Sequence, residues 1–181
     1  MQLRKTMCLA AMCLALCACV AVARKSGPKW PDAPAGAIVA VTDLAPAPKV
    51  YSKGKGRAYL ILPKGGPYTS FVEMTGEMAN VTMSHVHWSN ASAGNPPRLG
   101  IFPSLTSGAP VLLSPPFHFK GSVSFTRAFN STDLGYWAPG GVDAFVALLK
   151  SGALFVNVHT VANPGGELQG ALECKSPCMW T

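Results

Sequence analysis

Three histidines have the residue type and the spacing to bind a metal ion. His85 and His87 are separated by one residue, and His159 follows much later in the chain. Residues two apart in a β-strand share a face with Cα atoms ~6.5–7 Å apart, so the first two imidazoles could converge on one ion. Three imidazoles would suit copper or zinc, with Asn157 as a neighbouring polar group. The alternative is that all four are exposed or hydrogen-bonded sheet residues, and the sequence leaves both interpretations open.

Protons would compete with a metal for these rings. Because only neutral imidazole binds a metal, affinity at such a site is expected to fall as the pH drops through the ordinary histidine pKa near ~6.5. The remaining histidine, His118, lies between Phe117 and Phe119. That setting is more typical of a structural or exposed histidine than of a ligand.

The other reactive residues indicate a disulfide and no defined reaction. Cys174 and Cys178 flank a Lys-Ser-Pro segment, and two cysteines this close in a secreted chain are expected to pair with each other, the alternative being a bond to another chain. The sequence contains no Gly-x-Ser-x-Gly motif, no Cys-His pair in a core block and no convincing carboxylate dyad. No catalytic residue is therefore predicted.

Alternating apolar and polar residues predict the strands that carry the histidines. In residues 155–160, Val156 and Val158 alternate with Asn157 and His159, and Pro-Gly-Gly then predicts a tight turn before residues 167–172 resume an extended segment. Residues 81–88 form the strand with the paired histidines. Apolar residues at helical spacing predict one helix over residues 142–150.

Further short strands complete an all-β fold. They are predicted at residues 37–42, 57–62, 71–78, 98–102 and 117–128, with a turn at Asn80. Pro46 and Pro48 argue against a central strand over residues 44–50, because proline cannot donate to a sheet. Many turn-punctuated strands with a single helix predict an antiparallel, Greek-key-like β-sandwich or barrel with one short helix towards the C-terminus.

The N-terminal residues are typical of a secretory signal. Arg4 and Lys5 precede an apolar run over residues 7–22, and Ala21-Val22-Ala23 resembles a cleavage site. We therefore expect a signal peptide over residues 1–23, an extended leader over 24–36, a β-domain over 37–174 and a tail over 175–181. The chain should be secreted, without a stable membrane anchor once the signal is removed. Three sequons are then candidate glycosylation sites, at Asn80, Asn90 and Asn130.

The formal net charge is +7. Part of it lies in a group of basic residues, which is either a solvated strand end or a patch for an acidic extracellular partner such as a polysaccharide. Nucleic acid is not expected as a partner, because no aromatic stacking platform accompanies these residues. The group comprises Lys49, Lys53, Lys55, Arg57 and Lys64.

The order of these segments resembles the CHRD family, the domain family named from chordin. The resemblance implies an extracellular protein. Its expected partner is an extracellular protein or an acidic polysaccharide. The chain departs from the family pattern at Gln169, where the family usually has Arg, and at Trp88 and Ser89, where it tends to have Gly. The segments that carry the resemblance are a strand, a proline-containing link and a Gly-led strand over 38–62, His85-Val-His87, a helix over 144–150, Asn-Val-His-Thr at 157–160 and Asn-Pro-Gly-Gly-Glu at 163–167.

The histidine order is also similar to that of copper-zinc superoxide dismutases, which are Greek-key β-sandwiches with His-x-His on one strand and a further copper-binding His on a late one. This chain has only 4 histidines, too few for a two-metal dismutase site, so dismutase activity is not expected. Two function classes remain: a non-catalytic extracellular binding or matrix module, and a metal-binding protein, with or without redox activity, that uses His85, His87 and His159.

Overall fold

Within the residues that it describes, the computed structural model contains eight β-strands, two α-helices and a short 3₁₀ helix at Ala91–Ala93. It describes residues 32–103, 112–137, 140–175 and 178–180, and of residues 135–137 only the backbone. The expected signal peptide and most of the expected leader lie outside the described residues. The elements are β1 Ile38–Pro46, β2 Lys55–Leu62, β3 Tyr68–Trp88, β4 Pro97–Phe102, β5 Phe117–Phe129, α1 Ser131–Trp137, α2 Gly141–Lys150, β6 Leu154–Thr160, β7 Leu168–Ala171 and β8 Glu173–Cys174.

The long strand β3 organises the sheet. It has 21 residues and runs through the turn that the sequence predicted at Asn80. That prediction was wrong: Asn80 has a φ of 54° and lies where the register between β3 and β5 shifts, so it forms a bulge inside one strand. A residue with positive φ suits a bulge as well as a turn, which is why the two could not be distinguished.

Each half of β3 pairs with a different set of strands, all of them antiparallel. Its first half pairs with β2 and β5, and its second half pairs with β6 and β4. Val81 pairs with both β5 and β6, so these two strands lie along opposite edges. It follows that β2 and β6 share one edge of β3, while β4 and β5 share the other.

The first strand closes the sheet into a barrel. β1 pairs with β2 and then, at Ala45 and Pro46, with β7, which pairs in turn with β6. The predicted antiparallel sandwich or barrel is therefore confirmed. The prediction that the first strand ends at residue 42 was too short. Pro46 is tolerated because it is the last residue of β1, where a missing donor costs little.

The core fixes the face on which the histidines lie. Val86, Val156 and Val158 are fully buried in the core, where Phe145 and Leu149 of helix α2 also pack. Helix α2 covers the predicted residues 142–150 with one more residue at its start. Because side chains alternate along a strand and the pairing with β6 is regular from Met83 onward, Met83, His85 and His87 point to the outer face of the barrel.

The described part of the C-terminal tail packs on the sheet. Cys174 and Cys178 form a disulfide with Cα atoms 5.8 Å apart, which confirms the predicted pairing. Nε1 of Trp180 donates a hydrogen bond to the Leu62 carbonyl at 2.8 Å. The tail is therefore held against β2.

Among the described residues, no helix has the length and apolar character needed to cross a membrane.

Replacing both cysteines with serine should lower the free energy of unfolding by about 2 kcal/mol, because the short crosslink restricts the unfolded chain. For a domain of this size, that corresponds to a fall in Tm of about 4–8 °C. Thermal unfolding of the wild type and of the Cys174→Ser/Cys178→Ser double variant measures the difference. An unchanged Tm would show that the crosslink contributes nothing beyond the packing of the tail.

Candidate metal centre

Strands β3 and β6 bring the three histidines together on the outer face of the barrel. In their register, His85 pairs with Asn157 and Met83 pairs with His159. Cross-strand partners project from the same face of a sheet, so His85 and His87 of β3 and His159 of β6 project from the same face. One ring nitrogen from each of His85, His87 and His159 lies within 4.8 Å of the others. Three imidazoles can therefore reach one ion.

Two backbone carbonyls fix the tautomers of these rings. Nδ1 of His87 donates to the Asn95 carbonyl at 2.7 Å, and Nδ1 of His159 donates to the Pro164 carbonyl at 2.8 Å. A carbonyl oxygen can only accept, so Nδ1 carries the proton in both rings and Nε2 carries a lone pair. The two Nε2 atoms face each other at 3.3 Å. Metal-binding histidines are usually oriented in this way, by a hydrogen bond from the other ring nitrogen.

Burial keeps the rings neutral. Burial lowers the pKa of His85 from 6.5 to about 3, and electrostatic repulsion from protonated His159 and His87 contributes a smaller part of this shift. Burial also lowers the pKa of His87 to about 4, although its hydrogen bond to Asn95 acts in the opposite direction. The pKa of His159 is lowered by burial as well. Neutral rings are the form that binds metal, so proton competition should begin well below the pH of ~6.5 expected from the sequence.

A tight turn after β6 covers the centre. Nδ2 of Asn157 donates to the Gly165 carbonyl at 2.9 Å, and the Oδ1 atom of Asn157 is buried without a hydrogen bond. The same turn supplies the Pro164 carbonyl that accepts from His159. One short segment therefore orients both polar side chains that β6 places on this face.

A buried carboxylate anchors that turn. Glu167 accepts hydrogen bonds from the Ser52 hydroxyl at 2.6 Å, the Thr160 hydroxyl at 2.8 Å and the Asn163 amide at 3.1 Å. These donors come from the loop after β1, from β6 and from the turn. Their convergence explains why a glutamate follows the Pro-Gly-Gly segment: it ties the cover of the centre to the barrel.

A neutral cleft adjoins the centre on the His87 side. Phe155 stacks on the His87 ring with centroids 5.2 Å apart, and both Phe155 and Asn95 also line a cleft of ≈ 580 Å³. Its other walls are apolar or uncharged. The cleft and the histidine group therefore share Phe155 and Asn95. No described lining residue carries a charge. The remaining lining residues are Ala45, Pro46, Pro48, Ser89, Gly152, Leu154, Gln169, Gly170 and Ala171.

The other candidate residues are not part of the histidine group, although Asn90 lies nearby: its backbone N–H donates to Oδ1 of Asn95, whose carbonyl accepts from His87. His118 is exposed on β5. Asn80 and Asn130 are exposed and Asn90 is half-buried. Exposure does not show that a glycan is attached, and glycosylation at all three sequons stays a prediction. Two members of the basic group are paired with acids, Arg57 with Glu73 at 2.8 Å and Lys53 with Glu77 at 3.8 Å. This interleaving of charges favours a solvated face.

Comparison with known proteins gives a match to a family model. The family model described as CHRD domain matches residues 37–172, which include β1 to β7 and all three histidines of the centre. Neither the curated proteins nor the solved structures contain a match.

Proposed function

This chain belongs to the CHRD domain family, and on that premise we propose that it is a secreted, non-catalytic extracellular binding module that binds one transition-metal ion. Its ligands are His85, His87 and His159, and the metal is copper or zinc. The observation that carries the proposal is the convergence of three imidazoles whose ring nitrogens lie within 4.8 Å of one another.

Because the tautomers of His87 and His159 are fixed, the converging rings favour a bound cation. His87 and His159 point Nε2 lone pairs at each other across 3.3 Å, an arrangement that is unfavourable when nothing positive lies near both. A bridging proton would relieve it, but burial opposes a charged imidazolium at either ring and lowers the pKa of both. A metal ion relieves the repulsion and forms strong bonds to the same nitrogens.

The extracellular location rests on three features of the chain. They are the signal-like residues 1–23, the sequons at exposed Asn80 and Asn130, and the Cys174–Cys178 disulfide, a bond that persists in oxidising compartments. As a partner we favour an extracellular protein over an acidic polysaccharide, because Arg57 and Lys53 are already paired with glutamates.

Metal titration tests the proposal. Wild-type protein should bind one equivalent of Cu²⁺ or Zn²⁺, and His159→Ala should weaken binding at least about a hundredfold, because it removes one of three ligands. His118→Ala is the matched control: this histidine is exposed on β5, and its loss should leave the affinity unchanged. Isothermal titration calorimetry with elemental analysis of the purified protein gives both readouts.

Two outcomes would contradict the proposal. One is equal binding by the wild type and His159→Ala, and the other is no binding by the wild type at micromolar metal. Either would leave the three histidines as buried sheet residues and nothing more. Circular dichroism of each variant should show that the sheet is retained, so that lost binding is not lost folding.

A further inference from the structure

We propose that the metal at this centre is copper in the Cu(I) state, with the thioether of Met83 as an additional soft ligand. This inference rests on the proposed function, since it names the metal that the three histidines bind. Two observations carry it: the charge of the donor set and the register position of Met83.

The donor set is uncharged. Among the described residues, the group of potential ligands around the site consists of the imidazoles of His85, His87 and His159, with no carboxylate or thiolate among them. A Zn²⁺ or Cu²⁺ ion bound by three neutral imidazoles keeps its full double charge. His85 and His159 are only 1% and 4% exposed, so much of this charge would lie away from water.

Burial of charge favours the monovalent ion. The cost of moving an ion out of water rises with the square of its charge, so a single charge incurs about one quarter of the penalty of a double charge of similar size. Zn²⁺ bound by three histidines completes its tetrahedron with a water molecule, which would have to reach a largely buried site. Glu167 is the buried acid of the covering turn, and both of its carboxylate oxygens already accept hydrogen bonds, from Ser52, Thr160 and Asn163. We therefore do not count it among the metal ligands.

Met83 is placed to add a soft ligand. It pairs directly with His159 across strands β3 and β6, and it lies two residues before His85. From Met83 to Trp88 the pairing with β6 is regular, so Met83, His85 and His87 share the outer face. Its side chain is half-buried beside the centre. Thioether sulfur binds Cu(I) in preference to Zn²⁺, because both the ligand and the ion are soft.

The test compares two metals in three proteins that lack the expected signal peptide, residues 1–23, because its four cysteines would compete for Cu(I). Cu(I) affinity is measured under anaerobic conditions against a chromophoric Cu(I) chelator, and Zn²⁺ affinity is measured against a fluorescent zinc chelator. Met83→Leu preserves volume and should fold normally. It should weaken Cu(I) binding at least about tenfold and leave Zn²⁺ binding within about twofold. Met179→Leu, at a residue 50% exposed in the tail, is the matched control and should change neither.

Copper K-edge X-ray absorption supplies an independent readout. The wild-type Cu(I) complex should show a sulfur scatterer that is lost in Met83→Leu. Equal Cu(I) affinities for these two proteins with no sulfur signal would overturn the role of Met83, and preferential binding of Zn²⁺ would overturn the choice of Cu(I). In both cases binding that still depends on His159 would leave the proposed function standing. Failure of the wild type to bind either metal would remove both proposals.

Discussion

The free energy of unfolding of the metal-free protein is expected to fall by about 4 kcal/mol between about pH 8 and about pH 5, about 2 kcal/mol for each of His85 and His87. In the unfolded chain these side chains titrate near 6.5, whereas in the fold their pKa values are about 3 and about 4. Below ~6.5 the unfolded chain therefore binds protons that the folded protein does not accept, and the equilibrium shifts towards unfolding. The lowered pKa of His159 acts in the same direction.

Denaturant unfolding at closely spaced pH values above ~5 measures this loss while most carboxylates stay ionised. A His85→Gln variant should show a shallower pH dependence than the wild type, whatever its absolute stability, because one of the groups responsible is gone. His118→Gln is the matched control, because this ring is exposed and lies outside the group of three histidines. A flat profile, or an NMR titration of the buried rings near ~6.5 in the folded protein, would contradict the expectation.

The sequence was sufficient to place the histidines on common faces but not to say what covers them. Alternation in β6 separates Val156 and Val158 from Asn157 and His159, and the structure has this arrangement. Asn157 and His159 are nevertheless buried, because the turn after β6 packs on them through the carbonyls of Gly165 and Pro164. Alternation predicts an exposed polar face, so the burial that lowers the histidine pKa values could not be anticipated.

The orientation of the histidine rings could not be predicted from the sequence either. The carbonyls of Asn95 and Pro164 hold Nδ1 of His87 and His159, and every residue has a carbonyl, so side-chain identity gives no signal for this role. The Asn-Pro-Gly-Gly-Glu segment did indicate a turn. Only the folded turn shows that its carbonyls point at His159 and Asn157, because that depends on the path of the loop over the sheet.

The same turn provides the second large effect: Gly166→Ala should destabilise the protein by about 3 kcal/mol or more. Gly166 has a φ of 121°, a region that L-residues with a side chain rarely adopt. A Cβ there would also overlap the carboxamide of Asn157, which is held by its bond to Gly165. The expected fall in Tm is about 6–12 °C. Metal affinity should drop about 10–100-fold, because displacement of the turn moves the Pro164 carbonyl that orients His159.

Gly165→Ala separates this effect from a general loss of turn flexibility. A Cβ at Gly165 meets nothing within 4 Å, so its stability should stay within about 0.5 kcal/mol of the wild type. The overlap can be isolated by combining Gly166→Ala with Asn157→Ala. If steric conflict with the carboxamide dominates, the double variant should lose less stability than the sum of the single variants, whereas strict additivity would assign the cost to the backbone alone. Equal stabilities for Gly165→Ala and Gly166→Ala would show that the turn does not pack on Asn157 in solution, and the orientation of His159 would then need another cause.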